Sequence, residues 1–206
     1  MKSKMPLTLA TLMKQFEAAV SPEVLEPSLE LAIEIAREGR EGRRIGTIFT
    51  IGDSDAVLEH SRPLILDPMA GHSAQLRNIA EANLRGTVKE LAQLDGAFVI
   101  SGDGTVVAAC RYLDSSSGGL QLPLGLGTRH MAAAAISRIT RALAIVVSET
   151  ATVRLFSDGQ LSAEVIPELW LLSRFTSYLV GPVHTEHVAN LAIFTREEAP
   201  SPKQET

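Results

Sequence analysis

A continuous apolar run past the middle of the chain places the strongest constraint on its fold. Residues 142–147, with the sequence ALAIVV, are apolar at every position and rich in β-branched side chains. This pattern is typical of a strand that is covered on both faces in the middle of a sheet. A helix predicted at about residues 128–142, around the alanine run MAAAAIS, precedes the strand. Because both faces of such a strand need cover, the sequence indicates an α/β layer fold. We expect a central mixed β-sheet flanked by helices.

The rest of the chain alternates between helical and strand-like segments. Further helices are predicted at residues 8–19, in the second half of 77–94, and from Pro167 onward. Another helix is predicted to begin after Ser28 as its N-cap and to end at Gly39 or Gly42. Strands are predicted within 43–53 and 188–195, and hairpins with turns at 101–104 and 157–159. Residues 53–73 are expected to be irregular, and residues 196–206 to be disordered.

The composition limits the class of protein. The chain of 206 residues has a net charge of −5 and 4% aromatic residues, which argues against a general nucleic-acid or membrane-surface binder and against base stacking. Cys110 is the single cysteine, so no disulfide forms within the chain, as in a reducing compartment. No apolar run reaches the roughly 20 residues of a membrane span. We therefore expect a cytoplasmic protein with no nucleic-acid and no membrane partner.

The start of the predicted helix at 128–142 is a first candidate site. Gly127 and Thr128 precede Arg129 and His130 in the segment GLGTRH. Cationic side chains at a helix N-terminus oppose the helix dipole, but the free N–H groups there favour a bound anion. Arg129 can hold a phosphate with paired hydrogen bonds, and Thr128 can cap the helix or contact a hydroxyl. A helix start with a surface arginine would also explain the segment, which matches neither the P-loop nor the dinucleotide-binding pattern.

Two acidic positions are candidates for a metal site. Asp95 lies between the end of a predicted helix and the start of a strand, at an edge of the sheet where α/β folds place ligands. Ser148 and Glu149 follow the apolar strand. Asp95 and Glu149 could share a divalent metal, and Ser148 could donate to a phosphate. A turn and the start of a loop are the structural alternatives.

Other features of the sequence are interpreted as structural or solvated. They are the hairpin turns at Asp103-Gly104 and Asp158-Gly159, the pair His184 and His187, and the charged segment REGREGRR at 37–44, read as a solvated helix end.

Together and in this order, the segments resemble the diadenylate cyclase family, whose catalytic domain also stands at the N-terminus of bacterial DNA integrity scanning proteins. The resemblance covers roughly residues 28–165. The family hallmarks, Asp-Gly-Ala and an Arg-His-Arg triplet preceded by Gly-Thr, appear as Asp95-Gly96-Ala97 and Gly127-Thr128-Arg129-His130. The resemblance implies a cyclase-like domain at 28–180, with a helical extension at 1–27 and a C-terminal extension at 181–206.

The resemblance also implies a reaction. Such enzymes condense two ATP molecules into cyclic di-AMP and release two pyrophosphates, with Mg²⁺ or Mn²⁺ as cofactor. Each 3′-hydroxyl attacks the α-phosphate of the other ATP, so the chain must self-associate at least to a dimer. The implied catalytic residues are Asp95, Arg129 and His130; the implied ATP-binding residues are Gly96, Ala97, Gly127, Thr128, Arg129 and Ser148; the implied metal ligands are Asp95 and Glu149.

Two departures from the family pattern keep other functions open. Met131 takes the third position of the triplet and cannot pair with phosphate, and Thr150 stands where a second glutamate is frequent. Met131 favours a catalytically weak sensor of the same fold that binds ATP or a cyclic dinucleotide. Thr150 bears on turnover more than on metal binding, because the first acid, Glu149, remains. The joint presence of Asp95, Arg129, His130, Ser148 and Glu149 favours an active cyclase. A third alternative is a related nucleotidyltransferase with another nucleotide or acceptor, since base selectivity depends on pocket shape.

Overall fold

The computed structural model describes residues 9–114, 120, 122–123, 125–167, 183–188 and 191–196. The chain divides into two units, Met1–Pro167 and Glu168–Thr206, which we describe separately. The helices and strands described in the first unit are α1 (Leu9–Phe16), α2 (Pro22–Glu38), β1 (Thr47–Ile51), α3 (Ser54–Glu59), β2 (Ser61–Pro63), a short 3₁₀ helix (Ala74–Arg77), α4 (Ala82–Leu91), β3 (Ala97–Ile100), β4 (Val106–Leu113), α5 (Thr128–Ile139), β5 (Leu143–Val147), β6 (Val153–Ser157) and β7 (Gln160–Val165).

The strands of the first unit form one mixed sheet in the order β2-β4-β3-β1-β5-β6-β7. β1 pairs in parallel with β3, with Ile48 opposite Ala97, and antiparallel with β5, with Thr47 opposite Val147. The remaining neighbours in this sheet are antiparallel. Every residue of β5 is buried. The predicted mixed sheet, with an interior strand at 142–147, is therefore confirmed.

Helices cover both faces of this sheet. Ala144 and Val146 of β5 share a core cluster with Ala133 and Ile136 of α5. The alternate residues of β5 point to the opposite face, and α2 packs against β5 and β6. The α5 face is lined by small alanines, so this helix can approach the sheet closely. This approach brings the first turn of α5 to the edge of the sheet.

The second helix differs from its prediction at the N-terminal end. Ser28 is not the N-cap, because α2 begins at Pro22 and Ser28 lies buried inside it, donating a hydrogen bond to the carbonyl of Val24 at 2.7 Å. Pro22 is tolerated in the first turn, and Pro27 removes one interior hydrogen bond. Burial of apolar side chains in this first part, Leu25 among them, offsets that loss. The expected domain boundary after residue 27 lies inside α2 and stays a prediction.

Residues 53–73 are more ordered than predicted. They contain α3 and the edge strand β2, which pairs antiparallel with β4. Pro63 ends this three-residue strand, as expected where a ladder donor is missing. Both predicted hairpins are confirmed, with β3 paired to β4 and β6 to β7. The β6–β7 hairpin has its turn at Asp158 and Gly159. Both residues have positive φ, as in the two-residue turns that join hairpin strands.

In the second unit, β8 (Val183–Val188) and β9 (Leu191–Arg196) form an antiparallel hairpin. β9 covers most of the strand predicted at 188–195. The helix predicted from Pro167 onward and the tail predicted to be disordered lie outside the described residues. Across the parts of the chain that the structure describes, no helix combines the length and apolar character that a membrane crossing needs.

Candidate active site

The candidate residues meet at one edge of the sheet because the sheet is mixed. Asp95 precedes β3, and β3 runs parallel to β1, while Glu149 follows β5, which runs antiparallel to β1. The end of β5 therefore lies beside the starts of β1 and β3. The expectation that these residues share an edge is correct. We expected this edge to hold the carboxyl ends of parallel strands, where α/β folds place ligands, but Asp95 lies at the amino end of the parallel pair β1 and β3.

Arg129 joins the two acids. It stands in the first turn of α5, and its Nη1 donates to Glu149 Oε1 at 2.8 Å. Its Nη2 lies 3.8 Å from Asp95 Oδ1. The carboxyl groups are largely exposed, with side-chain exposures of 88% for Asp95 and 62% for Glu149, so both remain accessible to a ligand. The edge thus presents one cation between two anions.

Gly46 determines where the Arg129 guanidinium can lie. This glycine directly precedes β1, and a Cβ built on it would stand 2.7 Å from Arg129 Nη1 and 2.9 Å from Arg129 Cζ. Any side chain here would overlap the guanidinium. The absence of a side chain at residue 46 therefore leaves the space in which Arg129 reaches both carboxylates.

A cavity of about 480 Å³ opens beside this set. Five of the predicted residues line it: Asp95, Gly96, Ala97, Thr128 and Arg129. The other lining residues, which the sequence reasoning missed, are Ile48, Leu64, Arg111, Tyr112, Leu113 and Ala132. The cavity thus has an apolar part and a polar, charged part, a combination that suits an amphipathic ligand such as a nucleoside phosphate.

Arg111 and Tyr112 enter the site through the β3–β4 hairpin. Ala97 lies opposite Arg111 in this ladder, so the end of β4 returns to the same edge. Arg111 Nη2 donates to the carbonyl of Ser61 at 2.8 Å and to that of Leu58 at 3.1 Å, which fixes its side chain. Counting outward from the predicted turn at 101–104 pairs residue 100 with 105 and so places residue 108 opposite Ala97. Arg111 takes that position only through the register shifts of the β3–β4 ladder, so no local pattern in the sequence marks it.

Gly96 is required by the approach of two strands. Its φ is +109°, and a Cβ on it would lie 2.7 Å from the carbonyl carbon of Cys110 and 2.8 Å from the nitrogen of Arg111. Cys110 itself has a positive φ of 54°, and the β3–β4 register is irregular here, as at a β-bulge. The expected role of Gly96, close approach of backbone to a nucleotide, stays a prediction. The close approach of β4 is by itself a sufficient reason for a glycine at residue 96.

His130 lies beneath the edge rather than in the cavity wall. It is 7% exposed, and its ring lies 6.1 Å from that of Phe156. Arg154 Nη1 lies 3.2 Å from His130 Nε2. Because a guanidinium only donates, Nε2 accepts and Nδ1 carries the proton, and Nδ1 has no hydrogen-bond partner among the described residues. Burial, followed by the charges of Arg154 and Arg129, lowers the pKa of His130. These effects favour the neutral imidazole, and the expectation of a second cation at this helix start stays a prediction for His130.

Ser148 and Gly127 stand next to the cavity without lining it. Ser148 Oγ lies 2.9 Å from Thr150 Oγ1, and the Ser148 N–H donates to the carbonyl of Thr152 at 2.9 Å. Thr150, which replaces an acid of the family pattern, thus helps to order the loop after β5. The carbonyl of Gly127 accepts the N–H of His130 at 3.0 Å and starts α5.

Two of the features interpreted as structural are explained by the fold. Asp103 accepts hydrogen bonds from Ser101 Oγ and from the N–H of Thr105, which closes the β3–β4 turn and lowers the pKa of Asp103. Asp158 lies in the β6–β7 turn. His184 and His187 fall in β8. Among the described residues, no group of three or more His, Cys, Asp or Glu side chains could hold a metal ion.

Comparisons with known proteins agree with the motifs. A family model described as "DisA bacterial checkpoint controller nucleotide-binding" (DAC) matches residues 34–161. A protein of Methanocaldococcus jannaschii named diadenylate cyclase is 48% identical over 72% of this chain and 47% of its own length. One of Haloferax volcanii with the same name is 41% identical over 72% of this chain and 55% of its own length. The chain thus spans about half the length of these relatives.

A solved structure shares the fold. The crystal structure of a hypothetical membrane-spanning protein from Bacillus cereus has a TM-score of 0.55 at 18% identity, over 74% of this chain and 72% of that one. At this identity the likeness concerns the fold alone. The family match covers more than half of the chain and includes Asp95, Arg129 and Glu149, the three residues that meet at the sheet edge. On these grounds, the chain belongs to the diadenylate cyclase family.

Proposed function

We propose that this chain condenses two ATP molecules into cyclic di-AMP and two pyrophosphates. The observation that carries the proposal is the meeting of Asp95, Arg129 and Glu149 at one edge of the sheet, beside a cavity of about 480 Å³. The names of the two archaeal relatives support the same reaction. Phosphoryl transfer of this kind depends mainly on positioning and on electrostatic stabilisation, and the edge offers groups for both.

The cavity supports a definite orientation of ATP. The base enters the apolar part, between Leu64 and Leu113 and beside Tyr112, and the ribose lies near Thr128. The phosphates then reach Arg129 and Asp95. The backbone of Gly96 and Ala97 lies along the nucleotide, and Ser148 donates a further hydrogen bond to a phosphate. Arg129 binds phosphate oxygens in place of the carboxylates that it now contacts, because a bidentate guanidinium suits either anion.

The acidic pair fits a divalent metal, Mg²⁺ or Mn²⁺. Asp95 and Glu149 present exposed carboxylate oxygens, which these ions prefer, and Mg²⁺ is usually held by one or two carboxylates together with substrate phosphates. Both carboxylates approach the same guanidinium, so they already lie near each other. The bound ion would offset charge on the reacting phosphates.

The chemical step needs two chains. Each 3′-oxygen forms a bond with the α-phosphorus of the ATP held by the other chain. The bond from that phosphorus to the bridging oxygen breaks, and its electron pair leaves with pyrophosphate. The Asp95 carboxylate accepts the hydroxyl proton. Exposed apolar side chains support self-association next to the cavity: Leu64 is 39%, Ile65 50% and Leu66 93% exposed.

His130 acts in this proposal as a positioning residue for α5. Its low pKa keeps it neutral, and it holds Arg154 at the buried side of the helix start. The cationic contact with phosphate at this helix comes from Arg129 alone, since Met131 cannot supply one. We therefore expect a slower enzyme than a relative with the complete Arg-His-Arg triplet.

The proposal is tested by incubating the full chain with ATP and Mg²⁺ or Mn²⁺ and identifying the products by liquid chromatography and mass spectrometry. Asp95→Asn is compared with Asp55→Asn, a matched change on the exposed side of α3 at the opposite edge of the sheet. We expect cyclic di-AMP from the wild type and from Asp55→Asn, and at least about a hundredfold less from Asp95→Asn. If the wild type binds ATP but forms no product with either metal, the reaction is excluded and the sensor alternative takes its place.

A further inference from the structure

The charged segment at 37–44 begins as the exposed end of α2, as predicted, and continues as a hydrogen-bonded turn at 40–43. The N–H of Arg40 donates to the carbonyl of Arg43 at 2.9 Å, and the N–H of Arg43 donates to that of Arg40 at 2.8 Å. Between them, Glu41 and Gly42 have φ values of 49° and 74°, as in a type I′ turn. The side chains of a hydrogen-bonded pair lie on the same face. The turn therefore fixes Arg40 and Arg43 side by side.

This turn borders a second cavity of about 250 Å³ next to the candidate active site. Its wall has four arginines, Arg40, Arg43, Arg44 and Arg129, and two acids, Glu41 and Glu149. Arg129 also lines the larger cavity, so the two cavities share its side chain as part of their walls. Gly46 belongs to the wall of the second cavity as well, at the place where Arg129 crosses.

Most of the cations in this wall already have partners. Arg40 Nε pairs with Glu90 Oε2 at 2.9 Å, and Arg44 Nη1 donates to the carbonyl of Ala36 at 2.8 Å, at the end of α2. Arg129 is held by Glu149. For the Arg43 side chain, the described part of the chain offers no hydrogen bond or ion pair. Among the described residues, neither Arg43 nor Arg44 therefore has a carboxylate partner, and Arg43 also has no hydrogen bond, which leaves its guanidinium available to an anionic ligand.

We propose that Arg43 binds the terminal phosphates of ATP and the pyrophosphate that leaves. This inference rests on the proposed function for the orientation of ATP. A nucleotide with its base in the larger cavity and its α-phosphate at Asp95 and Arg129 directs its β- and γ-phosphates past Arg129, into the second cavity. As the α-phosphate bond to the bridging oxygen breaks, negative charge develops on the leaving pyrophosphate. Arg43 stands where it offsets that charge.

The test measures binding to the full chain by isothermal titration calorimetry. The probes are 3′-deoxy-ATP, which lacks the attacking hydroxyl and is not turned over, 3′-deoxy-AMP, which lacks the terminal phosphates, and inorganic pyrophosphate. The variants are Arg43→Gln and Arg43→Lys. Arg141→Gln is the matched control, because its side chain is 91% exposed and follows α5 at the opposite edge of the sheet.

We expect Arg43→Gln to weaken binding of 3′-deoxy-ATP and of pyrophosphate about tenfold, the size of one charge-assisted hydrogen bond, and to leave 3′-deoxy-AMP unchanged. We expect the affinity of Arg43→Lys for 3′-deoxy-ATP and pyrophosphate to lie between those of the wild type and Arg43→Gln, because lysine keeps the charge but lacks the planar guanidinium. Arg141→Gln should match the wild type with every probe. Equal losses for the triphosphate and the monophosphate, or no loss for either, would overturn the proposal.

The two proposals fail in different ways. If the wild type forms no cyclic di-AMP but binds pyrophosphate in a manner that depends on Arg43, the reaction fails and the phosphate site stands. If the wild type forms cyclic di-AMP and Arg43→Gln binds all three probes as tightly, the reaction stands and the phosphate site fails. A wild type that binds neither 3′-deoxy-ATP nor pyrophosphate overturns both.

Discussion

Arg129 is held by contacts on three sides, and this arrangement sets the chemistry of the edge. Glu149 and Asp95 attract the guanidinium, and Gly46 leaves the space in which it lies. The acids alone would not fix its position, because both are largely exposed and such ion pairs are weak. The missing side chain at residue 46 makes this position available to the guanidinium, a steric condition that salt does not screen.

Gly46→Ala should therefore displace Arg129 with little effect on folding. The added Cβ meets the flexible end of a side chain, so the fold can relax by moving the guanidinium. We expect the free energy of unfolding in urea to change by less than about 1 kcal/mol, and kcat/KM for ATP to fall about tenfold or more. Gly102→Ala, where a Cβ would meet nothing within 4 Å, is the control. Equal activity of Gly46→Ala and wild type would contradict this role of Gly46.

His130 makes a pH-dependent contribution to stability. Its pKa is lowered from 6.5 in the fold, so the unfolded chain takes up this proton at a higher pH than the folded chain does. The contribution is complete above pH 6.5 and is lost as the pH falls from there through the folded pKa. Urea unfolding of wild type and His130→Gln between pH 7.5 and pH 5 measures it. We expect the wild type to lose more stability on acidification than the variant, whereas parallel losses would mean that His130 does not titrate in this way.

The β3–β4 hairpin builds the inner wall of the candidate site. Its irregular register, with positive φ at both Gly96 and Cys110, turns Arg111 and Tyr112 toward the cavity. The turn at 101–104 was predictable from local sequence. The bulge was not, since it depends on how closely two strand backbones approach, and no local pattern in VVAACRYL records that distance.

Gly96→Ala should destabilise the protein by about 2 to 4 kcal/mol, because it combines an unfavourable φ with backbone overlap at Cys110. Gly86→Ala is the matched control, for which we expect a change in stability of the opposite sign. Gly86 is exposed within α4 and a Cβ there would meet nothing within 4 Å, so alanine should stabilise by about 0.5 to 1 kcal/mol. Both are measured as free energies of unfolding in urea. A Gly96→Ala protein as stable as the wild type would show that the β3–β4 contact is not restrictive.

At the scale of the whole molecule, strand direction decides which residues meet. Periodicity and turn signals predicted most helices and strands and the presence of a mixed sheet. They did not predict that β5 runs antiparallel to β1, and this direction is what brings Glu149 to Asp95. The motifs identified the acids and Arg129 through their resemblance to a family. Gly46 and Arg43 carry no motif of their own, and their roles follow only from the packed structure.

Whether the protein joins two ATP molecules is measured with a mixture of isotopes. The protein is incubated with equal amounts of unlabelled ATP and ATP labelled with carbon-13 in the ribose, together with Mg²⁺ or Mn²⁺, and the product is weighed by mass spectrometry. We expect a cyclic dinucleotide in which the species with one labelled half is about as abundant as the two uniform species together, as random pairing requires. A product without the mixed species, such as a cyclic mononucleotide, would show that each product comes from a single ATP and would rule out the joining of two ATP molecules.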